Sequence, residues 1–374
     1  MTLFSLQGMS GEARTGVLRT RSGKVRTPFF MPVATFASGR SIGSEEYHAD
    51  GVQAVISNAF LLSLRPGVEI IEELGGVGKF MGFDRAVFSD SGGFQASRKS
   101  LFSGTSRRGV HFRSPFDGKR VVMTPRRVVE VQERLGSDVA MVIDDMAPAD
   151  APREQFMKSL HNTHRWAKEC KDAHTDSKQL LFAIVQGGYD AKLRRESAEY
   201  LTSLGFDGYG VGGCAIGEPK VDMYRAVKNS TPFLPQEKVR YLMGVGSPPD
   251  IVHAVSLGVD CFDSIFPTRN ARHNMIFTFQ GSYQLEKSRY AKDRGPLEEE
   301  CDCLTCQHHS RAYVRHLSLV NEVAGERLRQ VHNVRFMTRL MERIRSSITE
   351  GSFKKFRQEF LHDWFQGKIP KLYK

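Results

Sequence analysis

The sequence predicts an α/β protein, a (β/α)8 TIM-type barrel with an inserted zinc-binding subdomain and basic C-terminal helices. Three observations point there. Short apolar runs alternate with helix-like segments over the first 270 residues, which is the pattern of a parallel sheet covered on both faces. A polar or glycine residue closes most of the runs: Asn58, Asp90, Asp144, Gln186, Gly212 and Asp263. In a closed barrel those positions converge on one mouth, where active sites are built, whereas an open sheet brings fewer of its strands to one crevice. From about Asn270 the rhythm breaks into a cysteine cluster, several histidines and the acidic stretch 298–302.

The predicted strands are 53–57, 86–89, 139–143, 180–185, 208–211, 239–243 and 259–262. An eighth is expected nearer the N-terminus or around 275–279. Helix signals fall between them. Thr124 caps a helix with Pro125 in its first turn, Val128, Val129, Val131 and Leu135 on one face, and Gly136 closing it. Segments 192–204 and 249–257 stop at Gly205 and Gly258. The expected organisation is a catalytic barrel over 1–270, a zinc-binding subdomain over 271–335, and helices over 336–374 that pack on the barrel.

Charge and cysteine usage narrow the class. The 53 Lys and Arg against 42 Asp and Glu leave a net charge of +11, which suits a polyanionic partner. Ten basic residues against four acidic ones occupy 333–374, and a second basic stretch runs from Arg98 to Arg127. Each alone reads as a solvated surface. No apolar run approaches the length of a membrane span, and the opening residues carry neither a signal-peptide nor a transit pattern. A cytoplasmic protein that binds no membrane is expected. Three of the six cysteines crowd into Cys301, Cys303 and Cys306, an arrangement for metal in a reducing compartment rather than a disulfide framework.

Those three thiolates need a fourth ligand to complete a closed, structural zinc tetrahedron, and His308, His309, His316 and His332 are all candidates. Asp90 lies in Ser89-Asp90-Ser91-Gly92-Gly93-Phe94-Gln95, where the glycines admit close approach of a ligand and Phe94 offers a flat face. Asp263 ends another strand. Two carboxylates at one mouth suit glycosidic chemistry, one as nucleophile at the sugar carbon and one as acid/base for the leaving group. A third carboxylate, Asp144, can accept from the N–H groups of a guanine-like edge, and the Gln186 amide can donate to its carbonyl. Backbone N–H groups around Gly213 and Cys214 can join that edge, and the Met243 thioether can lie on a ring. Arg269 and Arg272 follow Asp263 closely and suit phosphate or base contacts.

Taken in order, SDSGGFQ, IVQGG, GVGGCAIGE, YLMGVG, CFDSIFPTRNAR and CDCLTC with His332 26 residues on resemble the tRNA–guanine transglycosylases over nearly the whole chain. The resemblance implies base exchange at the wobble guanine of tRNAs with a GUN anticodon, through a covalent Asp–ribose intermediate. It implies Asp263 as nucleophile and Asp90 as general acid/base. Asn58 and Gln95 would orient these carboxylates. Asp144, Gln186, Gly213 and Cys214 would read a base stacked between Phe94 and Met243. Arg269 and Arg272 would hold the anticodon loop, and Cys301, Cys303, Cys306 and His332 a structural Zn2+. It further implies a homodimer in which the second subunit helps hold tRNA, with Phe60 and His309 at the expected interface.

Several positions depart from that pattern. Phe94 stands where tyrosine is usual, Met146 where the bacterial enzymes carry cysteine, Leu61 where histidine is common, and Ser247 where lysine is common. The queuine-using enzymes resemble one another in a small residue where this chain has Ile216, so the expected incoming base is preQ1. Two rivals are a non-catalytic tRNA-binding subunit, disfavoured because Asp90 and Asp263 are both present, and a glycoside hydrolase, disfavoured by the basic charge and only two tryptophans.

Overall fold

A computed structural model describes residues 2–92 and 101–373. Eight parallel strands form the core: β1 (Phe29–Met31), β2 (Ala54–Asn58), β3 (Ala86–Asp90), β4 (Val139–Met141), β5 (Leu180–Val185), β6 (Gly208–Val211), β7 (Val239–Leu242) and β8 (Cys261–Asp263). Their order is β1-β8-β7-β6-β5-β4-β3-β2. A parallel bridge between Val33 and Ile56, with the Ala34 amide donating to the Ile56 carbonyl at 2.7 Å, brings the exit of β1 against β2. The result is a nearly closed barrel.

The eighth strand is therefore the N-terminal one, Phe29–Met31, all three residues buried. The other candidate stretch, Met275–Thr278, turns back within two residues and pairs antiparallel with Gly281–Gln284 outside the barrel. Such a tight reversal makes a hairpin and leaves no crossover to a parallel neighbour.

Inside the barrel, Phe29, Phe88, Phe182 and Tyr241 come from β1, β3, β5 and β7. Phe88 meets the other three at centroid distances of 5.9, 5.9 and 6.3 Å. Four side chains from alternate strands make one packed barrel layer. Gly208 on β6 leaves room for it, because a Cβ there would fall 2.4 Å from the Phe182 ring.

Helices surround the sheet with the ends that the sequence signals predict. Pro125–Leu135 starts at Thr124, whose hydroxyl accepts from the Arg127 amide, and stops at left-handed Gly136. An antiparallel meander, Phe4–Ser10, Ala13–Thr20 and Gly23–Thr27, covers the N-terminal end of the barrel. Beyond β8, the helix Val323–Thr349 ties the hairpin and the cysteine cluster back to the barrel. Its Thr338 hydroxyl donates to the Asp50 carbonyl at 2.6 Å and its Arg345 to the Pro28 carbonyl at 2.7 Å. The helix Phe353–Trp364 packs on the hairpin through Trp364 against Phe277 and Phe360 against Phe279. No helix among the described residues is long and apolar enough to cross a membrane.

Candidate active site

The parallel register places Asn58 opposite Asp90 at the C-terminal ends of β2 and β3. The Asn58 amide donates to both carboxylate oxygens of Asp90, at 2.9 and 3.0 Å, and the Gly92 amide adds a third bond at 2.9 Å. Asn58 is itself fixed, since its side-chain oxygen accepts from the Leu61 amide at 2.7 Å and caps the helix Ala59–Leu62. Across the mouth, Asp263 ends β8. Its Oδ1 accepts from the Tyr241 hydroxyl at 2.6 Å and from the Gly244 amide at 2.7 Å. Asn58, Asp90, Tyr241, Met243, Asp263 and Arg269 line one cavity of about 350 Å³.

Burial sets the electrostatics. It pushes the Asp90 carboxyl up to about 7 against the lowering effect of Gly92 and Asn58, with the nearby Asp263 charge adding to the rise. Asp263 is raised by burial too, opposed by its bonds from Tyr241 and Gly244. No basic side chain pairs with either acid among the described residues, although Arg269 lines the same cavity.

A second polar group lies at the ends of β4 to β6. The Gln186 amide donates to Asp144 Oδ2 at 2.6 Å, and burial raises Asp144 to about 6. The glycines beside them are required by close approach, since a Cβ on Gly213 would fall 2.5 Å from Gln186 Oε1 and the residue adopts φ +64°. Ala215, two residues further on, lines the cavity of Asp90 and Asp263.

One fully buried cation fastens these loops. Arg194, on the helix Ala191–Ser203, donates to the carbonyls of Val185, Gly188 and Gly212 at 2.9, 2.5 and 2.8 Å. It also lies 3.6 Å from the Cys214 thiol. The Cys214 side chain is thereby turned into the protein, leaving its backbone on the loop.

A family model described as queuine tRNA-ribosyltransferase matches residues 9–366. The chain belongs to the queuine tRNA-ribosyltransferase family. Relatives bearing that name include one from Thermoanaerobacter pseudethanolicus, 46% identical over 349 residues that cover 93% of either chain. Another, from Bacillus subtilis, is 43% identical over 357 residues, covering 95% of this chain and 94% of the relative. A third, from Zymomonas mobilis, is 42% identical over 367 residues, covering 97% and 95%. The family match spans both the barrel and the cysteine cluster.

That cluster gathers Cys301, Cys303, Cys306 and His332, whose ligand atoms all lie within 4.8 Å of one another. His332 Nδ1 is 3.3 Å from Cys306 Sγ and 3.8 Å from Cys303 Sγ. A tetrahedral zinc with bonds of about 2.3 Å to sulfur needs ligands about 3.8 Å apart, so the group fits a metal ion of that kind. The remaining ring nitrogen, Nε2, faces the Phe277 carbonyl at 2.8 Å and fixes the ring. His308, His309 and His316 are not part of the group.

Among the other predicted residues, Arg272 is partly buried, and its guanidinium is lowered by burial and by the charges of Arg40 and Arg269. A cation cluster therefore stands beside the cavity. Phe94 and Gln95 lie outside the described residues. Phe60 is fully buried against Phe112 at a centroid distance of 4.6 Å, so the expectation that it meets a second subunit is corrected. Behind Asn58, an aromatic side chain fills core volume. His309 stacks on the exposed Tyr313 at 5.2 Å.

Tyr241 and Arg194 were not singled out from the sequence. Tyr241 was within reach, since it stands two residues before Met243 on one strand and so shares its face. Helical spacing puts Arg194 on the face of Ala198 and Leu201 and its exposed neighbour Arg195 on that of Glu199, but the spacing does not say which groups the buried guanidinium meets.

Proposed function

We propose that the chain is a tRNA–guanine transglycosylase, a pentosyltransferase that exchanges the wobble guanine of GUN-anticodon tRNAs for a 7-deazaguanine base. The observation that carries this reading is the pair Asp90 and Asp263 lining one cavity, both half-buried and both raised, with the Asp144–Gln186 pair at the ends of neighbouring strands of the same mouth.

Both donors to Asp263 engage Oδ1, which leaves Oδ2 as the oxygen directed at the anomeric carbon of the ribose. Attack there forms an Asp263–ribose ester and breaks the bond to guanine, whose departing nitrogen takes the proton of Asp90. The incoming base returns a proton to Asp90, attacks the same carbon and expels Asp263. Two inversions give net retention, with bonds and protons in balance. A carboxyl near 7 suits Asp90 to both halves, because it is needed protonated in the first and ionised in the second.

Asp144 accepts from the N–H groups of the base. One hydrogen of the Gln186 amide is held by Asp144 and the other is left for the base carbonyl. Backbone N–H groups of Gly213 and Cys214 complete that edge, and the base stacks between Phe94 and Met243. Gln95 assists Asn58 in orienting the carboxylates. Glu218 accepts from the amides of Ala215 and Ile216 at 2.5 and 2.9 Å, which fixes the loop on which Ile216 stands. A bulky side chain there disfavours the cyclopentenediol of queuine, and the reading is preQ1. Arg269 and Arg272 contact the anticodon loop. Cys301, Cys303, Cys306 and His332 hold a structural zinc that folds the hairpin onto Val323–Thr349, within the subdomain over 271–335. The active form is a cytoplasmic homodimer.

Exchange of labelled guanine into unmodified GUN tRNA tests the reading, with Asp263→Ala alongside. Wild type should incorporate label and form a tRNA adduct that survives denaturation, and the variant should do neither. Absence of incorporation by metal-loaded wild type would leave a tRNA-binding subunit as the better account. Competition between preQ1 and queuine then decides the base.

A further inference from the structure

Phe36 and Phe116 are exposed aromatics, at 48% and 36%. Single exposed apolar residues are ordinary, but these two, 80 positions apart, meet at a centroid distance of 6.2 Å with planes at 61°. The guanidinium of Arg65 lies over Phe116 at 4.3 Å from its centroid, an attractive cation–π contact. Three separate segments thus build one small aromatic and cationic surface.

Its position is informative. Phe36 directly follows Thr35, which lines the cavity of Asp90 and Asp263. The same loop holds Ala37 and Ser41 at φ +58° and +68°, left-handed conformations that cost free energy in non-glycine residues and collect at ligand sites. It also carries Arg40, whose charge reaches Arg272. Phe116 sits on the turn between Gly109–Arg113 and Arg120–Met123. That turn is held by Ser114, whose amide donates to the Lys119 carbonyl at 2.8 Å. Arg113 and Arg120, opposite each other at the base of this turn, are exposed and carry no ion pair among the described residues, while Lys119 pairs with Asp117 at 3.1 Å. The aromatics therefore join the loop that lines the reaction cavity to a turn with two unpaired arginines at its base.

We infer that Phe36 and Phe116, braced by Arg65, form a stacking platform for an unpaired nucleobase flanking the exchanged guanine. The inference rests on the base-exchange reading for its substrate. Single-stranded RNA is held by aromatic faces that take the bases and by cations that take the backbone, and this surface supplies both beside the point where a nucleotide enters the barrel. Arg65 covers one face of Phe116, which leaves the more exposed Phe36 as the stacking ring and Phe116 as its support. A protein partner is the less suitable occupant, since the apolar area is small and bordered by unpaired arginines.

Equilibrium binding of unmodified GUN tRNA to wild type, Phe36→Ala, Phe36→Trp and Phe116→Ala decides it, with KM for tRNA and for guanine measured in parallel. Both substitutions are at exposed positions, and circular dichroism checks that each variant is folded. Phe36→Ala should weaken tRNA binding and raise KM for tRNA roughly five- to a hundredfold, Phe116→Ala by less, while Phe36→Trp retains affinity. KM for guanine and kcat should not move. Unchanged tRNA affinity in both alanine variants overturns the platform, and so does a changed oligomeric state with affinity intact. A wild type that binds no tRNA overturns the platform and the function together. If wild type binds tRNA without exchanging guanine, the base-exchange reading falls, and the affinity comparison still decides the platform.

Discussion

Aspartates stand at both ends of the barrel, and Asp260 at one end is held unlike Asp90 and Asp263 at the other. At the N-terminal end Asp260, just before β8, receives Arg14 Nε and Nη2 at 2.8 and 2.7 Å and the Arg240 amide at 2.7 Å. Asp138, just before β4, receives the Ser22 amide and hydroxyl and the Val87 amide. At the C-terminal end Asp144 is buried and Asp90 and Asp263 are half-buried, yet only neutral donors reach them among the described residues, and each is raised. Asp260, matched by the Arg14 charge, holds the meander onto the barrel, and Asp138 does so through neutral donors alone. The acids of the mouth, desolvated and without a paired cation, stay protonatable near neutral pH and available to a substrate.

The same chemical edit at each end should break this symmetry most visibly. Asp90→Asn removes the proton carrier, and guanine exchange should fall by about 10²- to 10⁴-fold. Its stability should fall by no more than about 1 kcal/mol, because no buried cation is orphaned and only one of the two bonds from Asn58 is lost. Asp260→Asn leaves Arg14 buried and unmatched, a loss of about 3–5 kcal/mol by urea titration. Folded Asp260→Asn should keep its rate per active site. A stability loss as large in Asp90→Asn as in Asp260→Asn would dissolve the distinction between the two ends.

A third region sharpens the contrast, because the cysteine cluster contributes to neither end. Removing the metal with a chelator, or Cys301→Ser, should lower stability by on the order of a few kcal/mol. The loss passes along Val323–Thr349, whose Asn333 accepts from the Phe277 amide and donates to the Pro267 and Met275 carbonyls. Calorimetry before and after chelation reads the change. The reaction should weaken chiefly through tRNA binding, so a loss of kcat at saturating tRNA with stability intact would contradict a structural role.

Much of the C-terminal end was legible in the sequence because strand ends are marked twice, by the close of an apolar run and by a polar residue. Asn58, Asp90 and Asp263 are the last residues of their strands, and Gln186 follows the last of its own. The N-terminal strand Phe29–Met31 was harder to place because three residues carry no periodicity, and the competing stretch at 275–278 has the same apolar character. The spacing of Cys301, Cys303 and Cys306 announced a metal knuckle, the family resemblance singled out His332 among four histidines, and the helix Val323–Thr349 is what returns it to the knuckle. Arg14 and Arg194 were illegible for a different reason. A buried arginine is recognised by the carbonyls and carboxylates folded around it, and those lie up to 246 residues away.

The smallest effect separates two ways in which the cavity acids are held. Asn58 stabilises the ionised form of Asp90 by two hydrogen bonds, so it lowers a carboxyl that burial has already raised to about 7. Asn58→Ala removes that opposition, and the Asp90 pKa should rise by roughly one unit, the equivalent of a charge-assisted hydrogen bond. On the proposed mechanism guanine release needs Asp90 protonated, so the alkaline limb of kcat/KM for tRNA should move to higher pH. Entry of the second base needs it ionised, so the acidic limb of kcat/KM for the base should move up as well. Both limbs shift in one direction, which a general loss of activity cannot imitate. Loss of the helix cap should cost about 1 kcal/mol in addition. Limbs that stay in place, or move apart, would mean that Asn58 serves Asp90 by position alone and that burial by itself sets the proton affinity.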